Sequence, residues 1–127
     1  MFSHVILGAN DLAASKTFYD AALGALGHHK GREVPGVARI MYLTRTGAFG
    51  IATPIDGQPA THANGGTLGF AAESAEAVDA FHAAGLAHGG TAIEDPPGYR
   101  ENPFGKLYLA YLRDPSGNKV CAMYRPA

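Results

Sequence analysis

The chain has no tryptophan and a single cysteine, Cys121, among its 127 residues. One cysteine rules out an internal disulfide and any metal site built on a C-x-x-C pair. Neither sign of charge is in excess: ten Lys and Arg stand against eleven Asp and Glu, a formal net charge of −1. Such a balance leaves no electrostatic footprint for nucleic acid or for an anionic membrane surface. Long hydrophobic runs are missing too, whereas a membrane span needs about 20 apolar residues in a row. The opening "MFSHVILGAND" has neither a basic leader nor a long apolar stretch. No secretory signal is visible there, and a cytoplasmic location is expected. The P-loop, G-x-S-x-G and H-E-x-x-H signatures are lacking, as is a G-x-G-x-x-G following a strand.

What is present fits a folded domain. Hydrophobic residues make up 46% and charged residues 17% of the chain. A single domain over residues 1–127 of this length buries roughly two-thirds of its unfolded surface. "SHVILGA" (3–9) is a β-prone run. "DLAASKTFYDAALGALG" follows, with Leu12, Phe18, Tyr19, Ala22, Leu23 and Leu26 on one helical face. Asp11 is placed to cap that helix, and Gly24 and Gly27 suit its end. "ARIMYLT" and "AFGIAT" flank the turn "RTG" and predict a hairpin. The segment 54–66, "PIDGQPATHANGG", reads as a linker between a module at about 1–58 and a second at about 66–127.

The order of elements then restarts. "GTLGFAAESAEAVDAFHAAGLAHGG" is again a short strand and a helix, with Ser74 as cap and Val78, Phe81 and Leu86 facing inward. An offset of 63 residues superposes Phe18 on Phe81, Leu23 on Leu86, Gly27 on Gly90 and Asp11 on Ser74 without a gap. "TAIED", "KLYLAYLRD" and "KVCAMY" supply the strands of the second copy. "DPSGN" joins the last two as a turn, with proline and glycine at the positions such turns favour. The chain therefore reads βαβββ twice, an α+β architecture. Strand alternation puts Val5, Leu7, Leu68 and Phe70 under the helices. His4, Thr67 and the small residues between face away and line a concave surface with room for a ligand.

Cys121 has three readings on these grounds: a nucleophile, a metal ligand or a small buried hydrophobe. Phe49 and Tyr108 are candidate aromatic walls. "EDPPGYRENPFGK" (94–106) reads as an irregular loop whose Tyr99, Arg100, Phe104 and Lys106 suit either a lid or a plain surface loop. His28 and His29 read as a solvated loop after the helix. His62, His82 and His88 lack a metal-type partner at helical spacing.

The stretches "HVILGANDLAASKTFYDAALGALG" and "NPFG…YLRDPSGNKV", set in paired βαβββ modules, resemble the vicinal oxygen chelate superfamily. This is the glyoxalase I, bleomycin-resistance and extradiol-dioxygenase group, and the likeness spans essentially the whole chain. It implies curled mixed sheets around a cavity, helices on the outer face, and a homodimer. Its metal-dependent members imply ligands at His4, Thr67, Cys121 and, in the "AFGIAT" strand, Ile51. Threonine and isoleucine do not complete a zinc or a two-histidine iron set. The expectation is a protein that binds a small organic ligand without an intact metal site, in a pocket of His4, Phe49, Ile51, Thr67, Tyr108 and Cys121. No cofactor is expected with it. The alternative implied by the resemblance is a glyoxalase-like lyase or isomerase, or a dioxygenase-like oxidoreductase. It would act on a small carbonyl or aromatic compound with Ni, Zn, Fe or Mn on His4. A dimeric interaction module with a filled cavity is the third reading.

Overall fold

The computed structural model describes residues 1–127. The first module runs β1 (His4–Gly8), α1 (Leu12–Ala25), β2 (Arg32–Glu33), β3 (Arg39–Leu43) and β4 (Ala48–Ala52). The second runs β5 (Leu68–Ala71), α2 (Ala75–Ala87), β6 (Thr91–Ala92), β7 (Gly98–Asn102), β8 (Gly105–Arg113) and β9 (Lys119–Tyr124). Each makes a mixed sheet, ordered β1-β4-β3-β2 in one and β5-β9-β8-β6 in the other, with β7 also on β8. β6 and β7 ladder to successive stretches of β8, so they form one interrupted edge strand. β1 lies parallel to β4 and β5 parallel to β9. A hairpin cannot join parallel neighbours, which is why each module carries a helix in between.

Capping residues set where the helices begin. Asp11 has an extended backbone, and its carboxylate accepts from the Ala14 N–H at 3.0 Å. Ser74 repeats the arrangement for α2, accepting from the Ala77 N–H at 3.0 Å. Each cap satisfies one N–H that the first turn leaves without a helical partner.

The apolar stripes of both helices end in a single core. Phe18, Tyr19, Ala22 and Leu23 of α1 meet Val78 and Phe81 of α2, together with Ile40, Tyr42, Phe49 and Ile51 of the first sheet and Ala110, Leu112, Val120 and Ala122 of the second. α1 packs directly on α2. At that contact a Cβ on Gly85 would stand 2.4 Å from Leu112 Cδ1 and 3.1 Å from Phe18 Cε1, so glycine is what lets the helix approach. Phe49 and Phe70, one from each sheet, meet edge-on at 5.2 Å. Because both helix-bearing faces close on this core, the helix-free face of each sheet looks away from it.

A buried polar clamp joins the modules. Asp114 is only 4% exposed and accepts from the Tyr19 hydroxyl at 2.6 Å, from the Ser116 and Asn118 N–H groups at 2.9 Å, and from Asn118 Nδ2 at 2.9 Å. Asn118 Nδ2 also donates to the Gly8 carbonyl at 2.9 Å. The turn "DPSGN" thus ties the second sheet to α1 and β1, with Gly117 at φ 91 taking the left-handed position. Burial, and then the neighbouring Asp114 carboxylate, push the Tyr19 phenol well above its ordinary pKa.

Three expectations are corrected. Leu86 is 43% exposed, because the helix turns its inner face through Val78, Phe81 and Gly85 instead. Of "TAIED" only Thr91–Ala92 is strand. The irregular loop expected at 94–106 contains β7, laddered to β8 from Gly98↔Leu109 to Asn102↔Gly105. Pairing satisfies backbone groups that a free loop would leave to water, so this segment is a hairpin arm with Phe104 exposed near its tip.

Candidate functional site

Directly opposed residues of neighbouring strands share a face of the sheet. The pairs His4↔Ala48, Ile6↔Gly50 and Met41↔Gly50 therefore place His4, Ile6, Met41, Ala48 and Gly50 together on the helix-free face of the first sheet. The pairs Gly69↔Cys121 and Tyr111↔Cys121 do the same for Gly69, Tyr111 and Cys121 on the second. Thr67 is the exposed residue just before β5.

His4 is exposed, and its Nδ1 lies 2.8 Å from Ser3 Oγ. Cys121 is only 6% exposed and packs with Leu107 and Leu109, flanked by Tyr111 and Met123. A Cβ on Gly69 would stand 3.2 Å from its sulfur, so the glycine leaves the space the thiol fills. Burial pushes the Cys121 thiol up to about 11, with Lys119 pulling it down and the Glu94 carboxylate raising it. At neutral pH it is a protonated thiol, not the thiolate that attacks electrophiles or binds metal.

Three sequence-predicted residues, Phe49, Ile51 and Tyr108, stand on the wrong side of their sheets for this site, Phe49 opposite Val5 and Tyr42 in the core. Ile51 is fully buried in the core, opposite Leu7 and Ile40. Its neighbour Gly50 holds the helix-free position, and a Cβ there would meet Met41 Sδ at 2.5 Å and Ile6 Cδ1 at 2.6 Å. A one-residue slip exchanges faces in a strand, and the loop before β4 hid the register. Tyr108 likewise alternates with the helix-free residues of β8; its hydroxyl donates to Asp79 Oδ1 on α2 at 2.7 Å. That bond to a carboxylate raises its pKa.

A cavity of about 520 Å³ is a cleft between the modules, bordered by Val5 and Phe49 on one side and Leu68 and Phe70 on the other. Leu23, Leu26 and Tyr42 line it from the core, and His28, Thr44 and Glu73 supply polar groups. Of the six predicted pocket residues, Phe49 alone lines it. His28, read from sequence as a solvated loop residue, borders it through the helix end that carries it. Its proximity to α1's apolar stripe was the available signal.

No three His, Cys, Asp or Glu side chains converge in a geometry that would hold a metal ion. His4 and Cys121 belong to helix-free faces of different sheets, so one chain does not bring them together. An imidazole, a threonine hydroxyl, a protonated thiol and a glycine do not make a divalent-metal site. No helix is long and apolar enough to cross a membrane.

The comparisons with known proteins follow the fold. The family model for the Glyoxalase/Bleomycin resistance protein/Dioxygenase superfamily matches residues 1–122. A glyoxalase/bleomycin resistance protein from Albidiferax ferrireducens T118 is 62% identical, with a TM-score of 0.95 over 98% of this chain and 99% of that one. A glyoxalase-related enzyme from Fulvimarina pelagi shares 20% identity at a TM-score of 0.74, covering 99% of this chain and 88% of its own. A lactoylglutathione lyase from Agrobacterium tumefaciens shares 21% at 0.66, covering 98% and 92%. At those lower identities the likeness is one of fold. No curated protein matches the chain.

Proposed function

The chain belongs to the Glyoxalase/Bleomycin resistance protein/Dioxygenase superfamily, and from that premise we propose that it binds a small organic molecule without a tightly held divalent metal. The observation that carries this reading is the donor set. Where the resemblance implies four ligands, the structure offers one exposed imidazole, an uncharged hydroxyl, a buried protonated thiol and a strand whose outward residue is Gly50. Charged or imidazole ligands are what a metal requires, and an apolar lining is what an organic molecule requires.

A second copy of the chain completes the site in this reading. Each chain leaves two helix-free faces uncovered and the edges of β1 and β5 unpaired. Leu43 is 64% exposed on one face, while Leu107, Leu109 and Cys121 form an apolar patch on the other. Setting the first face of one copy against the second face of its partner encloses both and brings His4 toward Cys121. The 520 Å³ cleft falls within the size range of ligand pockets, but its walls Val5, Phe49, Leu68 and Phe70 are helix-side residues, so it is a volume apart from this composite site. A cytoplasmic setting suits a chain whose one thiol is unpaired.

The test is metal content by mass spectrometry, before and after incubation with Ni²⁺, Zn²⁺, Fe²⁺ and Mn²⁺ and desalting, beside light scattering on the same samples. The expected result is a dimer with far less than one metal per chain. Near-stoichiometric metal that His4→Ala abolishes would overturn the reading and restore the metal-dependent lyase. A monomer at all concentrations would remove the composite site.

A further inference from the structure

The strands of the helix-free faces contribute cations and no carboxylate, while Glu94, from the segment between β6 and β7, brings a carboxylate to Lys119. Strand register places Arg32 and Arg39 on the first sheet's helix-free face, and Arg100, Arg113 and Lys119 on the second's. No Asp or Glu holds such a position, although the chain has eleven of them against ten Lys and Arg. The strand carboxylates Glu33 and Glu101 oppose Ile40 and Lys106, on the other side of their sheets. A second copy seated on the second face would add Arg32, Arg39 and His4, and still no strand carboxylate. With Glu94 neutralising Lys119, the remaining charge on these faces is still positive, and such a surplus concentrates the opposite sign in whatever the face binds.

Among these cations Arg100 is the one prepared for an anion. The chain's two ion pairs are Lys16–Asp20 and Lys119–Glu94, so Arg100 has no carboxylate partner. Arg113 is spent on the turn, where its Nη1 donates to the Gly117 carbonyl at 2.8 Å. The Arg100 guanidinium lies over Gly98, where a Cβ would come within 3.5 Å of Nη1. It is held there by three carbonyls: Nη1 donates to Gly98 at 2.8 Å and Leu109 at 3.2 Å, and Nη2 to Asp95 at 3.0 Å. A guanidinium has five N–H donors, so two remain. The group is half-buried beside Leu107 and Leu109, fixed by neutral dipoles, and lacks a counter-charge.

We infer that the ligand of the helix-free faces is a small organic acid, a carboxylate on an apolar body, and that Arg100 selects it. The carboxylate takes the free donors of the preset guanidinium, a geometry arginine favours over lysine. Leu107, Leu109 and Met123 receive the apolar body. This rests on the reading above that the chain binds a small molecule, and it adds the chemical class.

The test is titration calorimetry with matched probes: phenylacetate against phenylacetamide, and octanoate against octanamide. In the wild type the acids bind about tenfold or more tighter than their amides. Arg100→Gln reduces that ratio to about one without changing amide affinity, and Arg100→Lys restores part of it. Lys106→Gln, on the same hairpin but the opposite face, leaves the ratio intact. Equal binding of acids and amides by the wild type, or a preference that survives Arg100→Gln, overturns the inference and leaves small-molecule binding standing. Binding of neither set overturns both. Should Arg100→Gln fail to fold, salt decides with the wild type alone. Acid affinity falls several-fold from low to high ionic strength while amide affinity holds; a salt-insensitive preference overturns the assignment.

Discussion

Thr44 and Asp114 are each the residue that follows the third full strand of a module, at the start of the turn into the last one. Thr44 is exposed, and its hydroxyl donates to the Gly47 carbonyl of its own turn at 2.8 Å. Asp114 is buried and takes four hydrogen bonds, one of them from Tyr19 in the other module. Tyr19 has His82 as its repeat counterpart at an offset of 63 residues, and His82 is a half-buried helix residue. The backbone repeats while the polar clamp does not. A repeat copies connectivity, but a module is held to its neighbour by whichever turn reaches the shared core. Here that is the second module's turn, lying against α1 and β1.

The comparison breaks most sharply at the clamp. Asp114→Ala should destabilise the chain by about 3–5 kcal/mol, because four donors lose their acceptor and several stay buried. Tyr19→Phe should cost about 1.5–3 kcal/mol, and Thr44→Ala under about 0.5 kcal/mol as a surface change. Urea denaturation of the three variants orders them; a Thr44 variant as damaged as the Asp114 variant would mean the modules are equivalent after all.

The helices sharpen the same contrast through glycine. Gly85 sits where α2 meets Leu112 and Phe18, so Gly85→Ala should cost about 1–3 kcal/mol by overpacking. Gly24 in α1 has nothing within 4 Å of its added Cβ, and Gly24→Ala should stabilise by up to about 1 kcal/mol. Thermal unfolding should move in opposite directions for the two substitutions, and a shift of the same sign would contradict the packing described.

Smaller effects test the candidate thiol and the counterpart of the clamp's tyrosine. Cys121 should react with a thiol reagent at pH 8 at least about tenfold more slowly in the folded chain than in urea, since burial both shields it and holds it protonated. A rate equal to that in urea would show an activated thiol. Burial also holds the His82 imidazolium below its ordinary pKa, partly offset by Asp79. Its folded-state pKa is the lower one, so the unfolded chain takes the proton first as pH falls. Stability contributed at neutral pH is therefore lost below about pH 6.5, levelling off beneath the folded-state pKa. His82→Gln should flatten the midpoint-against-pH curve in that window; an unchanged curve would assign the acid sensitivity elsewhere.

The readable part of this protein was local. Both caps, the inner stripe of α1 through Phe18, Tyr19 and Leu23, the hairpin turn at Gly117 and the placing of Val5, Leu7, Leu68 and Phe70 under the helices follow from periodicity and turn chemistry. The strand β7 was missed because "PPGYRENPFG" is rich in turn residues and pairs only through β8. Ile51 was misplaced because its face depends on the register of β4 with β1, which no short window contains. The surplus of cations on the strands of the helix-free faces was equally out of reach. Arg32, Arg39, Arg100, Arg113 and Lys119 are scattered along the chain and become a set only when five strands are laid in register.

The sequence by itself determined the βαβββ repeat, its caps and its turns, because those depend on neighbours a few residues away. Tertiary structure alone decided which turn became the buried clamp, that His4 and Cys121 lie on faces one chain does not join, and that Arg100 rests over Gly98 without a counter-charge. Each of these is set by strand register and by the closing of both sheets on one core, where residues far apart in sequence first become neighbours.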